Sequence, residues 1–309
     1  MTVVIRVLAY GFSADHCDEY LKIGESTMIE SLKHFWDSII ALYEGQYMRS
    51  PNEQDIAELL QEGKNRGFPS MLGSLDCMHW EWKNCPIAWH GTHRGHHGKP
   101  TLILEAVASK DLWIWHAFFG MPGSHNDVNV LNHFPLFDAL IHGRMPSVNY
   151  EVNGRQHTLG YYLSDGIYPQ WATLMQTIAN PTTRKEKLFA EKQEAARKDV
   201  EKAFGVLQIR WGITQGPVRY WKKDEICNIM KTCIILHNMI IEDERDTDVE
   251  QWRPPSEETI SIPTYARNPR VLVAHISSWL SMIRNRGTNT MLRFDLMEHL
   301  WRKFGDELM

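Results

Sequence analysis

The sequence contains little cysteine and no long hydrophobic run. Five cysteines in 309 residues are too few and too scattered for a disulfide framework, which favours a reducing compartment. Its most apolar stretches are only a few residues long, whereas a membrane-spanning helix needs roughly 18 to 20, so no membrane segment is predicted. A basic leader is also missing from the N-terminus, which argues against secretion. With 43% hydrophobic and 23% charged residues, the composition excludes disorder and predicts a globular chain of the nucleus or cytosol.

Charge is distributed unevenly along the chain. The formal net charge is −5, which argues against a surface built throughout to hold a polyanion. Between Arg184 and Lys223, however, there are eleven Lys and Arg residues and five Asp and Glu residues, a balance of +6 that leaves −11 for the rest. This basic region is the part of the sequence that is suited to contact a polyanion such as DNA.

Residues 1–66 have the pattern of a helical segment. Apolar residues recur every three or four positions after Thr27, and Thr27 and Glu30 have the spacing of a capping box, which predicts a helix that begins there. A preceding helix over residues 14–21 and a turn over residues 22–26 predict either a DNA-binding helix-turn-helix or a plain helical hairpin. A shorter helix is predicted over residues 52–60.

Residues 70–240 mix strand-length and helix-length patterns. Two apolar segments, residues 101–108 and 112–119, are separated by a turn-like triplet and predict a hairpin. Asn153-Gly154 predicts the turn of a second hairpin. A long helical pattern then covers residues 184–210. Strands interspersed with helices in this order predict an α/β domain.

The remaining helical and loop patterns complete the predicted organisation. A helix is predicted over residues 127–140, and another runs from Trp221 to Met239. Residues 241–309 begin with an acidic stretch, residues 242–248, which is typical of a solvated loop. Two C-terminal helices are predicted after it, over residues 271–283 and 291–304.

Three carboxylates lie at positions where a charge needs a partner. Asp76 and Asp165 each end an apolar, strand-like segment, and Glu201 lies within an amphipathic helical pattern. Hard oxygen ligands of this kind suit Mg²⁺, and two such ions can activate water and stabilise the leaving oxygen in phosphoryl transfer. On spacing alone, helix capping and salt bridging are the commoner explanation for such residues.

Four longer strings carry a family resemblance. They are GFPSMLGSLDCMHWEWKNCP, LEAVASKDLWIWHAFFGMPGSHNDVNVL, YYLSDGIYP and ARKDVEKAFGVLQIRW. These strings resemble the PIF/Harbinger class of DDE transposases, in the plant branch that also includes domesticated, nuclease-derived host proteins. The resemblance runs from about Arg6 to the C-terminus, and its motifs are long and specific.

The resemblance implies a fold, an activity and a metal site. It implies an RNase H-like mixed sheet flanked by helices over residues 70–240 and a metal-dependent DNA nuclease or transposase. The metal-binding carboxylates would be Asp76, Asp165 and Glu201, and the 35 residues between the last two are a spacing familiar in DDE enzymes. Asp127 matches a further acidic position and is either a metal ligand or a helix N-cap. The cofactor implied is Mg²⁺ or Mn²⁺, as two ions.

The basic region next to Glu201 is expected to contact the DNA backbone. The residues predicted to bind nucleic acid are Arg184, Lys185, Arg197, Lys198, Lys202 and Arg210. The resemblance also implies a nuclear location and a Myb-like helper protein that supplies sequence recognition, and a homo-oligomer is expected. The competing hypothesis is a domesticated, catalytically silent protein that serves as a chromatin or partner-binding subunit.

Histidine is concentrated in residues 90–97, near Cys77, His79 and Cys85. Cysteine and histidine are suitable zinc ligands, so this cluster raises the hypothesis of a zinc site. The sequence contains no Cys-x-x-Cys pair, however, and a polar loop rich in glycine and histidine is the commoner explanation.

Overall fold

Helices and strands are interspersed along the chain. A computed structural model describes residues 2–11, 23–95, 97–125, 130–131, 148–246 and 277–305. The helices are α1 (Thr2–Tyr10), α2 (Glu25–Tyr47), α3 (Glu53–Asn65), α4 (His90–His93), α5 (Arg184–Arg197), α6 (Asp199–Arg210), α7 (Lys223–Asp246) and α8 (Arg286–Phe304). The strands are β1 (Met71–Glu81), β2 (Thr101–Ala108), β3 (Ile114–Pro122), β4 (Tyr150–Val152), β5 (Arg155–His157), β6 (Tyr161–Ser164) and β7 (Leu174–Gln176). Residues 277–283 are also helical.

Five of the strands form one mixed sheet. Its strand order is β3-β2-β1-β6-β7, with β1, β6 and β7 parallel to one another and β2 antiparallel to β3. Strand β2 is buried along its whole length, as expected for a strand covered on both faces. The predicted α/β class is therefore confirmed at the level of a mixed sheet with helices, and the RNase H-like assignment stays a prediction.

The chain divides into two compact units that interleave in sequence. Unit 1 comprises Met1–Ser50, Cys77–Val130 and Val200–Glu250, and unit 2 comprises Pro51–Asp76, Leu131–Asp199 and Gln251–Met309. Strand β1 passes from unit 2 into unit 1 after Asp76. The boundaries predicted near residues 66–70 and 240 stay predictions.

Unit 1 has a hydrophobic core made by α1, α2, α6, α7 and the β2–β3 hairpin. The buried residues of α2 are Met28, Leu32, Trp36 and Tyr47, which lie four, four and eleven positions apart on one face. On α7, Ile226, Ile229, Met230 and Cys233 repeat the same spacing and are fully buried. Alternate residues of β2, such as Leu102, Leu104 and Ala106, belong to the same core.

Unit 2 is organised around β6, β7, α5 and α8. Helix α8 contacts α5, and Lys185 and Glu298 form an ion pair between them at 2.8 Å. The β4–β5 hairpin turns at Asn153 and Gly154, which both have positive φ angles, 54° and 79°, as a type I′ turn requires. The predicted turn is therefore confirmed in its conformation.

Helix starts differ partly from the predictions. The helix expected to begin at Thr27 begins at Glu25, and its N-cap residue, Gly24, makes no side-chain capping bond. The expected Thr27–Glu30 capping box is therefore wrong. A complete capping box is present instead at α3, between Asn52 and Asp55.

The helical pattern over residues 184–210 is two helices instead of one. Helix α5 ends at Arg197, and α6 begins at Asp199. The carboxylate of Asp199 is buried and forms an ion pair with Arg66. Periodicity does not detect this break, because both helices have apolar residues at compatible spacing.

Two further predictions need correction. A solvated loop was predicted for residues 242–248. Residues 242–246 are instead helical, because α7 continues to Asp246. Glu242 accepts a hydrogen bond from the Tyr47 hydroxyl, and Glu244 pairs with Arg210, so these carboxylates are bound within the fold. Strand β7 was not predicted, since its three residues carry too short a pattern.

Several predictions lie outside the described residues. They are the helix at residues 14–21 that would complete a helix-turn-helix, most of the helix at residues 127–140, and the beginning of the helix at residues 271–283. The two C-terminal helices are confirmed where the structure describes them. Among the described helices, none combines the length and the apolar character that crossing a membrane would need.

Candidate active site

Asp76 lies on β1 and Asp165 directly follows β6, the neighbouring parallel strand. The register of β1 and β6 pairs Ser74 with Leu163, and each aspartate lies two residues beyond this last paired position. Adjacent strands are about 4.8 Å apart. Both aspartates are half-buried. Two of the predicted carboxylates therefore lie near the same end of the β1–β6 pairing, and their role as metal ligands stays a prediction.

The strand does not end at Asp76, although its sequence predicted that. Strand β1 continues to Glu81, so Asp76 lies near its middle, where β1 passes from its pairing with β6 towards unit 1. Asp165, by contrast, is the first residue after β6. The backbone amide of Gly166 donates to the Asp165 carboxylate, and the amide of Tyr168 donates to its carbonyl oxygen. This turn orients the Asp165 side chain at the strand end.

Helix α5 holds the ends of the strands that lead to this pair. Gln193 is fully buried, and its Nε2 donates to the carbonyl oxygens of Ser164 at 3.1 Å and Met175 at 3.0 Å. The Ser74 hydroxyl donates to the carbonyl oxygen of Ala196 at 2.9 Å. One helix therefore binds β1, β6 and β7 close to the aspartates.

Sequence reasoning missed Gln193 and Ser74. A glutamine in the helix RKEKLFAEKQEAAR resembles its solvent-exposed polar neighbours, and no local pattern separates it from them. Only the neighbouring carbonyl groups at the ends of β6 and β7 explain why an amide is buried there.

The two tyrosines of β6, Tyr161 and Tyr162, are uncharged at neutral pH. Burial raises the pKa of Tyr161 and that of Tyr162 well above the ordinary value for tyrosine. At neutral pH the strand therefore brings no phenolate charge towards Asp165.

Glu201 lies in the first turn of α6 and is exposed. Val200, Ala203, Phe204 and Leu207 form the buried face of this helix, which confirms the predicted amphipathic pattern. Glu201 belongs to unit 1, whereas Asp76 and Asp165 belong to unit 2. The third member of the triad therefore stays a prediction.

The chemistry of the aspartate pair fits a divalent cation. Two half-buried carboxylates supply oxygen ligands, the type that Mg²⁺ prefers. Within the ranges that the structure describes, no three Asp, Glu, His or Cys side chains are grouped to hold a metal ion. The other predicted ligand, Asp127, lies outside the described residues.

At least three of the six residues predicted to bind nucleic acid form ion pairs within the fold. The pairs are Lys185 with Glu298, Arg197 with Glu194, and Arg210 with Glu244. The exposed residues of the set are Arg184, Lys198 and Lys202. Contact of all six with nucleic acid stays a prediction, and the exposed three are the most accessible to a phosphate.

The histidine-rich segment is more ordered than the polar loop that was expected. Residues 87–93 form a 3₁₀ turn and the short helix α4. His93 is buried, its ring stacks on Trp89, and burial lowers its pKa. His90 Nε2 lies 3.0 Å from the carbonyl oxygen of Cys85. His96 lies outside the described residues, and the described ones include no zinc-type ligand group.

Comparison with known proteins gives one family match. A family model described as a plant transposon protein matches residues 45–248, a range that contains all three predicted triad residues. The chain is also 24% identical over 253 residues to "Protein ALP1-like" from Arabidopsis thaliana, covering 80% of this chain and 61% of that protein. The chain thus spans less than two thirds of the length of this curated relative. No solved structure matches the chain significantly.

Proposed function

Because the chain belongs to the plant transposon protein family, we propose that it is a metal-dependent DNA nuclease or transposase of the PIF/Harbinger class. The observation that supports this proposal is the parallel β1–β6 pair, in which Asp76 and Asp165 each follow the paired residues Ser74 and Leu163 by two positions. A metal-dependent nuclease of this kind needs such carboxylates at one place. The proposed RNase H-like architecture agrees with the mixed sheet.

Each carboxylate has a proposed role. Asp76 and Asp165 would hold one or two Mg²⁺ or Mn²⁺ ions between adjacent strands, and Glu201 would complete the ligand set from α6, with Asp127 as a further ligand. Bound divalent cations supply charge for the phosphate oxygens and make water more acidic. The chain's own part is to fix the ligands, which the Gly166 amide and the anchoring of Ser164 by Gln193 support.

The DNA backbone would pass along exposed basic side chains. Arg184, Lys198 and Lys202 are exposed and belong to the region of positive charge balance. We further propose that the protein acts in the nucleus, as a homo-oligomer, with a Myb-like helper that supplies sequence recognition. Co-purification of tagged and untagged copies with such a helper from nuclei is the expected result.

Manganese binding tests the site without requiring the cognate DNA. We expect Asp165→Asn to weaken binding of Mn²⁺, followed by electron paramagnetic resonance, because it removes a charged ligand. Metal-dependent nicking of supercoiled DNA should fall by more than roughly 100-fold. Loss of a residue that only hydrogen bonds to a metal ligand already costs about 10- to 100-fold in metal affinity or activity. Asp37→Asn, at an exposed carboxylate of α2, is the matched control and should leave both measurements unchanged.

Two outcomes would contradict the proposal. Equal Mn²⁺ affinity in the wild-type protein and Asp165→Asn would exclude this aspartate as a ligand. Failure of the wild-type protein to bind Mn²⁺ at millimolar concentration, together with retained binding to nuclear partners, would instead support the catalytically silent interaction protein.

A further inference from the structure

A surface of unit 1 combines exposed tryptophans with basic residues. Two segments, residues 82–94 and 218–223, are joined by hydrogen bonds: the Lys83 amide donates to the carbonyl oxygen of Val218 at 2.9 Å, and Trp82 Nε1 donates to that of Tyr220 at 2.8 Å. The Asn84 side chain donates to the carbonyl oxygen of Arg219. We call this the tryptophan surface and define it by the exposed residues Lys83, Ile87, Trp89, Arg219, Trp221 and Lys222.

Its apolar side chains are unusually exposed. Trp221 is 69% exposed, Ile87 is 87% exposed and Trp89 is 44% exposed. Exposure of large aromatic side chains is unfavourable in water, and a group of them on one surface is typical of a binding site. The two tryptophans are therefore candidates for contact with a ligand.

Trp89 is held rigidly in place. Its ring is stacked on that of His93, with centroids 5.6 Å apart and planes 15° apart. His93 is itself buried and makes an edge contact with Trp82 at 5.4 Å. The Trp89 indole is therefore held by His93 and is still partly exposed to solvent. Such a ring loses little conformational entropy when a flat ligand ring stacks on it.

The exposed charged residues that define the tryptophan surface, Lys83, Arg219 and Lys222, are all basic. Residues 82–100 and 216–223 contain six Lys and Arg residues and no Asp or Glu, although Glu81, Asp224 and Glu225 directly flank these segments and Glu81 pairs with Lys99 at 2.9 Å. The six are Lys83, Arg94, Lys99, Arg219, Lys222 and Lys223. This surface is therefore complementary to an anionic ligand that also presents flat rings.

We propose that the tryptophan surface binds an unpaired DNA strand, with bases stacked on Trp89 and Trp221 and phosphates contacted by Lys83, Arg219 and Lys222. Aromatic side chains combined with a basic groove are the features by which proteins hold single strands. In a duplex the bases are stacked on one another, so exposed indoles gain little. The identity of this ligand in the cell rests on the proposed function, because cleavage or transfer of a DNA strand exposes unpaired ends.

Fluorescence anisotropy with a labelled oligo-dT of twenty nucleotides tests this inference. The full chain is titrated in EDTA, so that neither metal nor cleavage enters, and a labelled duplex of equal length is titrated in parallel. We expect Trp89→Ala and Trp221→Ala each to raise the single-strand Kd about five- to hundredfold, the usual effect of losing one base stack. The duplex Kd should change less than twofold.

Matched controls separate stacking from charge and from folding. Tyr10→Ala removes another exposed aromatic ring of unit 1 and should leave the single-strand Kd unchanged. Lys222→Gln should weaken binding of both DNA forms and reduce its salt dependence. Trp89→Phe keeps a ring that can stack, so it should retain most of the affinity if Trp89→Ala folds poorly.

Equal losses for single strand and duplex in the tryptophan variants, or no loss in either, would overturn the inference. No single-strand binding by the wild-type protein would also overturn it and would favour a protein partner for this surface. Failure of the proposed function is distinguishable, because the strand-binding measurement in EDTA requires no metal, whereas the Mn²⁺ measurement does. A strand-binding chain without Mn²⁺ binding would retain this inference and refute the nuclease.

Discussion

Buried side-chain amides join helices to strand backbones in both units. In unit 1, Asn238 of α7 accepts from the Ile114 amide at 3.0 Å and donates to the carbonyl oxygens of Tyr47 and Ile114 at 2.7 and 2.9 Å. In unit 2, Gln193 and Asn289 each donate to two backbone carbonyl oxygens. Such groups satisfy backbone atoms that no regular ladder reaches.

Asn238→Ala should strongly destabilise unit 1. The substitution leaves one backbone amide and two carbonyl groups without their side-chain partner in a buried place, at a cost of about 1–3 kcal/mol for each unsatisfied group. We expect the free energy of unfolding, measured by urea denaturation, to fall by roughly 3 kcal/mol. Asn65→Ala, at an exposed position of α3, should change it by less than about 0.5 kcal/mol. Similar values for both variants would contradict the role of Asn238.

At the scale of the elements, the sequence predicted which segments are helical better than it predicted where each helix begins and ends. Both Thr27–Glu30 and Asn52–Asp55 have the spacing of a capping box, but only the second makes its two bonds. The Asn52 side chain accepts from the Asp55 amide at 2.9 Å, and Asp55 accepts from the Asn52 amide at 2.7 Å. Helix α2 begins two residues before Thr27, so Thr27 lies in its first turn.

Asn52→Ala and Thr27→Ala should therefore differ. Loss of the Asn52 cap should lower the free energy of unfolding by about 1 kcal/mol. Thr27→Ala removes no capping bond and places a better helix former inside α2, so its effect should be close to zero or slightly stabilising. Thermal or urea unfolding followed by circular dichroism compares the two. A larger loss for Thr27→Ala would show that α2 begins where the sequence pattern predicts.

At the scale of the whole molecule, the buried His237 and the half-buried His116 couple stability to pH. Burial lowers the pKa of His116 to about 4 and that of His237 to about 4. His237 Nε2 donates to the carbonyl oxygen of Leu112 at 2.9 Å, which favours the charged ring, but burial is the larger effect and lowers the pKa. In the unfolded chain a histidine has a pKa of about 6.5.

The folded protein should lose stability as the pH falls from about 6.5 towards 4. In this range the unfolded chain binds protons at both histidines and the folded chain does not, so protonation favours unfolding, whereas above pH 6.5 the full stability is present. The slope is at most about 1.4 kcal/mol per pH unit for each histidine. Urea titrations at pH 7.5 and 5 measure it. His237→Gln keeps a donor and should reduce the slope, and an unchanged slope would contradict this assignment.

The strands that lead to the candidate site were predictable because local pattern and chemistry agree there. Apolar runs that lead into Asp76 and Asp165 predicted strands next to carboxylates, and both runs are strands that pair in parallel. The exact end of β1 was not predictable, because its residues after Asp76 pair within unit 1, and such pairing leaves no local signal. The break at Lys198 was missed because both helices have apolar residues at compatible spacing, and the ion pair of Asp199 with Arg66, 133 positions away, leaves no local signal either.

The amino-acid sequence alone determined the α/β class, most helices and strands, the Asn153-Gly154 turn and the family resemblance, since periodicity, turn chemistry and motifs act over short distances. Tertiary structure alone decided which polar residues are buried. Gln193, Asn238 and Asp199 look like surface residues in sequence, and their burial depends on backbone or charged partners far along the chain. Tertiary structure also brought Trp89 near residues 218–223, because hydrogen bonds from Trp82 and Asn84 join these distant segments.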